Sequence, residues 1–192
     1  LGLELAADLP FKSDINDAGI DAVVKQIASS GAQMVFNHGS TGIYEKIIRK
    51  AREQQLTTQF YGVNSGSTQL ARHLGPLAQN MIFAQVMPSP WERKTAITRA
   101  YQEAFKAYKP KEDFSYGSLE GYMTARALVE ALRRAGPNPT RDSFVAGLKD
   151  ADLQIDGLKV NYRNGTHTGL SLVDLAIVTR EGEFRHCGAP RG

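Results

Sequence analysis

The pattern Asn-x-Gly-Ser-Thr occurs twice in this chain, at Asn37-His38-Gly39-Ser40-Thr41 and again at Asn64-Ser65-Gly66-Ser67-Thr68. Each copy follows an apolar run and leads into a helical pattern, so each reads as a polar corner between a strand and a helix. Side-chain amides and hydroxyls beside the orphan N–H groups of a helix N-terminus form a set of donors suited to a carboxylate or phosphate. Asn37, His38, Ser40, Thr41, Asn64, Ser65, Ser67 and Thr68 then share one rim. The same residue types also have a plain structural use, in which the hydroxyl caps the helix and the glycine allows a tight turn. Both uses stand open on the residues alone.

Other chemistries fit less well. Neither corner has the Gly-x-x-x-x-Gly-Lys-Ser/Thr phosphate loop or the Gly-x-Gly-x-x-Gly dinucleotide spacing. Ser65 with His38 as its base would make an enzyme, but the nucleophile elbow needs Gly-x-Ser-x-Gly, and Ser65 lies three residues after Gly62 and directly before Gly66. No catalytic residue is expected. His38, His73, His167 and His186 lack the i, i+4 spacing of helix-borne ligands, and the lone Cys187 removes disulfide frameworks and cysteine metal sites. No metal and no cofactor are expected. The net charge of +3 comes from basic residues scattered along helical stretches, as at Arg49-Lys50 and Arg133-Arg134, which argues against a nucleic-acid partner. No apolar run reaches the roughly 20 residues that cross a bilayer, so no direct membrane insertion is expected, and no basic n-region leads into an apolar h-region, so a signal peptide is expected only outside this sequence.

Alternating elements must position the two corners. Ile20, Val23, Val24 and Ile27 draw the i, i+3, i+4, i+7 stripe of a helix that Gly31 stops. The run "QMVFN" reads as a strand, Ile43, Ile47, Ile48 and Ala51 as a second helix, and "TQFYGV" as a second strand. Leu70, Ala71 and Leu74 mark a short helix, and "MIFAQVM" a third strand ended by Pro88 and Pro90. This alternation predicts an α/β fold with a parallel sheet, in which ligands bind beyond the carboxyl ends of the strands, where both corners lie.

Three helices follow. One runs from Glu92 to Tyr108, with Ile97, Ala100, Tyr101, Ala104, Phe105 and Tyr108 inward. A second runs from about Ser118 to Ala135, with Tyr122, Met123, Ala125, Leu128, Val129 and Leu132 inward. Thr140 caps a third that carries Phe144, Val145 and Leu148. In the tail, strand-like runs flank Asn164-Gly165, a strong hairpin signal with Gly169 at a bulge or bend, and "REGEF" marks a second turn. Phe114 and Tyr116 precede the second of these helices, where they either project into a cleft or staple the helix start; the two readings are even for Tyr116.

The order of "DINDAGIDAVVKQIASSGAQMVFNHGSTGIYEKIIRKAREQQLTTQFYGVNSGS", "MIFAQVMPSP", "YQEAFKAYKPKEDFSYGSLEGYMTARALVEALRRAG" and "YRNGTHTG" resembles the type I periplasmic substrate-binding proteins, specifically the leucine/isoleucine/valine-binding branch of ABC importers. The resemblance spans essentially the whole chain. It implies a periplasmic binding protein type I-like fold, with a parallel Rossmann-like sheet flanked by helices, a C-terminal β-hairpin and an incomplete first lobe. Residues 1–87 would form the second ligand-binding lobe, 88–152 a helical segment of the first lobe, and 153–192 the hinge and hairpin returning towards the second.

The resemblance also implies a function. A solute-binding protein, periplasmic or otherwise extracytoplasmic, would close on an amino acid or an organic carboxylate in an interlobe cleft and pass it to an ABC transporter permease without chemistry. Asn37, His38 and Ser40 match a ligand-contacting loop of the second lobe, with Thr41 and Ser65 beside them on the rim, and Tyr116 falls near an aromatic position of the first. Asn64 falls where amino-acid binders of the family carry an acidic residue for the ligand's ammonium. An amide cannot neutralise a buried cation, so this departure points to a ligand without a free ammonium, such as an aromatic or aliphatic carboxylate. The alternative of another class is the ligand-sensing domain of a receptor or transcription regulator of the same fold.

Overall fold

A computed structural model describes residue 2, residues 4–149 and residues 151–187 of the chain, so the last residues of the expected 153–192 segment lie outside it. The described residues divide into two compact units, one drawn from the spans 1–84 and 175–192 of the sequence and the other from 85–174.

The first unit opens with α1 (Asp17–Ser30). The Asn16 side chain accepts a hydrogen bond from the Gly19 amide, and Gly31 ends the helix with φ 66°, a left-handed conformation that costs glycine little. Next come β1 (Met34–Phe36), α2 (Thr41–Glu53), β2 (Gln59–Val63), α3 (Ser67–Leu74) and β3 (Ile82–Gln85). β1, β2 and β3 pair in parallel. β6 (Asp174–Val178) and β7 (Phe184–His186) complete a five-stranded sheet in the order β1-β2-β3-β6-β7, with β7 antiparallel to β6. The expected parallel α/β sheet is therefore present, with an antiparallel pair closed at the turn expected in "REGEF".

Its core sits on one face of that sheet. Ile20, Val24 and Ile27 of α1, Tyr44, Ile47, Ile48 and Ala51 of α2, and Leu70, Ala71 and Leu74 of α3 cluster with Phe60, Phe83 and Val178. The helical stripes read from the sequence are the residues that meet here.

The second unit holds α4 (Ala96–Tyr108), α5 (Tyr116–Ala135), α6 (Arg141–Leu148) and the hairpin β4 (Asp152–Ile155) with β5 (Leu158–Asn161). Tyr101 anchors an aromatic cluster with Phe105, Phe114 and Tyr122, at centroid distances of 5.5, 5.5 and 5.8 Å, and its hydroxyl lies 2.6 Å from Ser118 Oγ. Thr95, Ser115 and Thr140 cap the three helices.

Several expectations for this unit need correction. The first helix begins at Ala96 rather than Glu92, because Thr95 supplies its cap. Tyr108 is 83% exposed and Ala104 is also exposed. On α5 the buried residues are Tyr116, Leu119, Met123 and Ala131, whereas Leu128, Val129, Leu132 and Ala125 face outwards. Val145 of α6 is exposed as well. The helical period was right, but α5 packs against α4, α6 and β4, and those neighbours select the buried face. The hairpin also moves. Asn164-Gly165 lies in a short 3-10 turn, Arg163–Gly165, while β4 and β5 close around Asp156-Gly157, with φ 48° and 80°. Two consecutive positive φ values are what a two-residue hairpin turn of the I′ type requires. Gly169 marks a close approach: a Cβ there would stand 2.5 Å from Val160.

Candidate functional site

Both polar corners lie at the carboxyl ends of neighbouring parallel strands of the first unit, the first after β1 and the second after β2. They also touch. A Cβ placed on Gly66 would stand 2.7 Å from Thr41 Cγ2, so the start of α2 is packed against the start of α3.

The first corner is shaped by its own hydrogen bonds. Asn37 Nδ2 donates to the Gly39 carbonyl at 3.1 Å, and Ser40 Oγ accepts from the Ile43 amide at 3.4 Å as the cap of α2. Gly39 sits at a close approach, since a Cβ there would stand 2.7 Å from the Phe11 ring, which would have to move aside. His38, Ser40 and Thr41 are exposed, and Asn37 is half-buried.

The second corner is built differently. Gly66 precedes α3 with φ 68°, and no side chain caps this helix. The Ser67 amide donates to the Asn64 carbonyl at 3.0 Å. Ser65 is exposed and Asn64 half-buried, but Ser67 and Thr68 are 1% and 4% exposed, so the hydroxyls of this copy point inwards. The two copies of one sequence pattern therefore present different surfaces: the first offers its Ser and Thr, the second its Asn and first Ser.

Beneath the corners, the buried Tyr44 of α2 fixes the strand ends. Its hydroxyl donates to the Tyr61 carbonyl at 2.6 Å and lies 3.4 Å from the Val35 carbonyl. Burial pushes this phenol far above the usual tyrosine range, so it remains a neutral donor. Behind them, Glu45 holds Arg49 at 2.7 Å and approaches His73 Nδ1 at 3.3 Å, linking α2 to α3. The Arg49 hydrogen bond holds the Glu45 carboxyl below its ordinary range.

Asn37, His38, Ser40, Thr41, Asn64 and Ser65 are thus gathered along one edge of the first unit. Tyr116 belongs to the second unit, where it is 3% exposed at the start of α5 and meets Trp91 edge-on at 5.4 Å. Two residues that shape the site went unread in the sequence. Phe11 lies in an extended stretch without periodicity, and Tyr44 was hidden within a helical stripe whose function is burial. Among the described residues no cluster of His, Cys, Asp and Glu could hold a metal ion, and no helix is long and apolar enough to cross a membrane.

Comparison with known proteins agrees with this architecture. No curated protein matched the chain. Among solved structures, an extracellular ligand-binding receptor from Verminephrobacter eiseniae ef01-2 is 24% identical with a TM-score of 0.77, over 88% of this chain and 49% of that one. A possible leucine/isoleucine/valine-binding protein from Rhodopirellula baltica SH 1 is 26% identical with a TM-score of 0.77, over 86% of this chain and 46% of its own. A leucine binding protein from Thermotoga maritima MSB8, at 19% identity and a TM-score of 0.77, covers 93% of this chain and 49% of its own. The chain therefore spans about half the length of these relatives. The family model described as periplasmic binding protein matches residues 2–182, and the chain belongs to that family.

Proposed function

We propose that this chain is part of an extracytoplasmic solute-binding protein of an ABC importer, which binds a small organic carboxylate and has no catalytic activity. The observation that carries the reading is the contact between the two polar corners, Thr41 against Gly66, at the carboxyl end of a parallel sheet. That end of such a sheet is where small molecules bind, and helix starts favour a negative charge there. His38, Ser40, Thr41 and Ser65 are exposed on that edge, with Asn37 and Asn64 half-buried between them. In this reading the first unit is the second ligand-binding lobe, the second unit is part of the first lobe, and an ABC transporter permease receives the solute. Tyr116 acts from the first lobe through its packing on Trp91, which holds the start of α5 in place.

Asn64 favours a ligand without an ammonium group, because an amide leaves such a cation without a counter-charge. The test is thermal unfolding of the full-length protein with benzoate, phenylacetate, leucine and phenylalanine. A ligand at about 100 times its Kd adds roughly 2.7 kcal/mol of stability. A rise in Tm with the acids alone supports the reading. A rise with leucine or phenylalanine overturns the Asn64 argument and leaves solute binding standing, and no rise with any small carboxylate or amino acid overturns both.

A further inference from the structure

We propose that Phe11 is a positioning residue for the ligand site: its ring sets the backbone of the first corner, and with it the direction in which Asn37 and His38 present their polar groups. The proposal rests on the solute-binding reading above. A Cβ on Gly39 would stand 2.7 Å from Phe11 Cζ, 3.0 Å from Phe11 Cε2 and 3.1 Å from Asn37 Oδ1. The tip of the ring, the corner backbone and the Asn37 amide therefore converge on one point. The missing side chain at Gly39 is what lets the ring lie so close.

Phe11 is held from behind. It is half-buried between the exposed Pro10 and Lys12, and it packs with Leu9 and Ile15 on the core of the first unit. The Ile15 amide donates to the Lys12 carbonyl at 3.1 Å, in a turn that leads directly to Asn16, the cap of α1. A ring fixed by the core and pressed against a loop passes the position of the core on to that loop. The corner has little regular structure of its own. β1 ends at Phe36 and Ser40 already caps α2, so Asn37, His38 and Gly39 bridge the two elements outside both.

The same device recurs at the second corner, where Thr41 fills the space beside Gly66 as Phe11 fills the space beside Gly39. Each corner glycine receives a side chain from an earlier part of the chain. A displaced Phe11 ring is then felt first at Asn37 and His38 and next, through Thr41, at Asn64 and Ser65. For the ligand, the consequence lies in the Asn37 amide. Nδ2 carries two hydrogens and gives one to the Gly39 carbonyl at 3.1 Å, which leaves the other to donate to a carboxylate. Without the ring against Gly39, nothing holds that carbonyl, and the amide aimed by it, in one place.

The test is calorimetric titration of the full-length protein with benzoate, phenylacetate, leucine and phenylalanine, well below the Tm of every variant, with Tm measured alongside. For whichever probe the wild type binds, Phe11→Leu, which lacks the ring tip, should raise Kd about tenfold whatever its effect on Tm, the equivalent of one ordinary hydrogen bond. Gly39→Ala alone should weaken binding by pushing the ring aside. Combined with Phe11→Leu, it puts a methyl group near where the ring tip stood and should recover most of the loss. A fall in Tm with an unchanged Kd in Phe11→Leu would make the ring a packing residue only and overturn the proposal. A double variant that binds no better than Phe11→Leu would also overturn it. If Phe11→Leu does not fold, Gly39→Ala decides by the same split between Kd and Tm. A wild-type protein that binds none of the four probes overturns the solute-binding reading, and this proposal with it.

Discussion

Thr41 and Gly66 meet where the two polar corners adjoin, and the space that a Cβ on Gly66 would need is already taken by the Thr41 methyl group, 2.7 Å away. Gly66 also has φ 68°, so the backbone itself disfavours any side chain there. Gly66→Ala should destabilise the first unit by about 1–3 kcal/mol, combining left-handed strain with the clash. Thr41→Ser removes the methyl and should recover the clash but not the strain. A double-mutant cycle in urea separates the two, and full additivity would show that the corners are not coupled.

Tyr44 links the strands beneath these corners. Its hydroxyl donates to the Tyr61 carbonyl, and the ring is 2% exposed within the core. Tyr44→Phe keeps the packing but strips a buried carbonyl of its donor, so the expected loss is about 1–2 kcal/mol in chemical denaturation. An unchanged unfolding midpoint would mean that the strand ends are fixed without it.

The Glu45 carboxyl predicts a pH dependence. Arg49 holds its pKa below the ordinary value in the folded chain, so the unfolded chain binds its proton first as the pH falls. The stabilisation is therefore fully present above the ordinary carboxylate range and disappears as the pH drops through the lowered folded value. Both partners keep contact with solvent, so the pair is worth no more than about 1 kcal/mol. Glu45→Gln should lower Tm at neutral pH and converge with the wild type in acid; a constant difference across pH would assign the effect to something other than charge.

Asn64 predicts a switch in ligand preference. It is half-buried at the second corner, and Asn64→Asp places a carboxylate there with little change in shape. In the full-length protein this change should weaken the response to benzoate and other simple acids, because two negative charges would then share one edge, and improve the response to amino acids. A single thermal-shift panel reads both, and equal responses in the two proteins would remove Asn64 from the ligand site.

The sequence by itself determined the local structure: the strand–corner–helix alternation, the stripe of Ile43, Ile47, Ile48 and Ala51, and the caps at Ser40 and Thr140. Those features depend on periodicity and on short-range hydrogen bonds, and both are written into neighbouring residues. Tertiary structure decided which helix face is buried, as Leu128 and Val129 show on α5, because that depends on where α6 and β4 lie. It also chose Asp156-Gly157 over Asn164-Gly165 as the hairpin turn, since both dipeptides carry the turn chemistry but only the first separates two runs that pair in register. The candidate site divides along the same line. Its residues were legible as two copies of one pattern, whereas the inward turn of Ser67 and Thr68 and the contact of Thr41 with Gly66 came from the packing of two helices that the sequence lists separately.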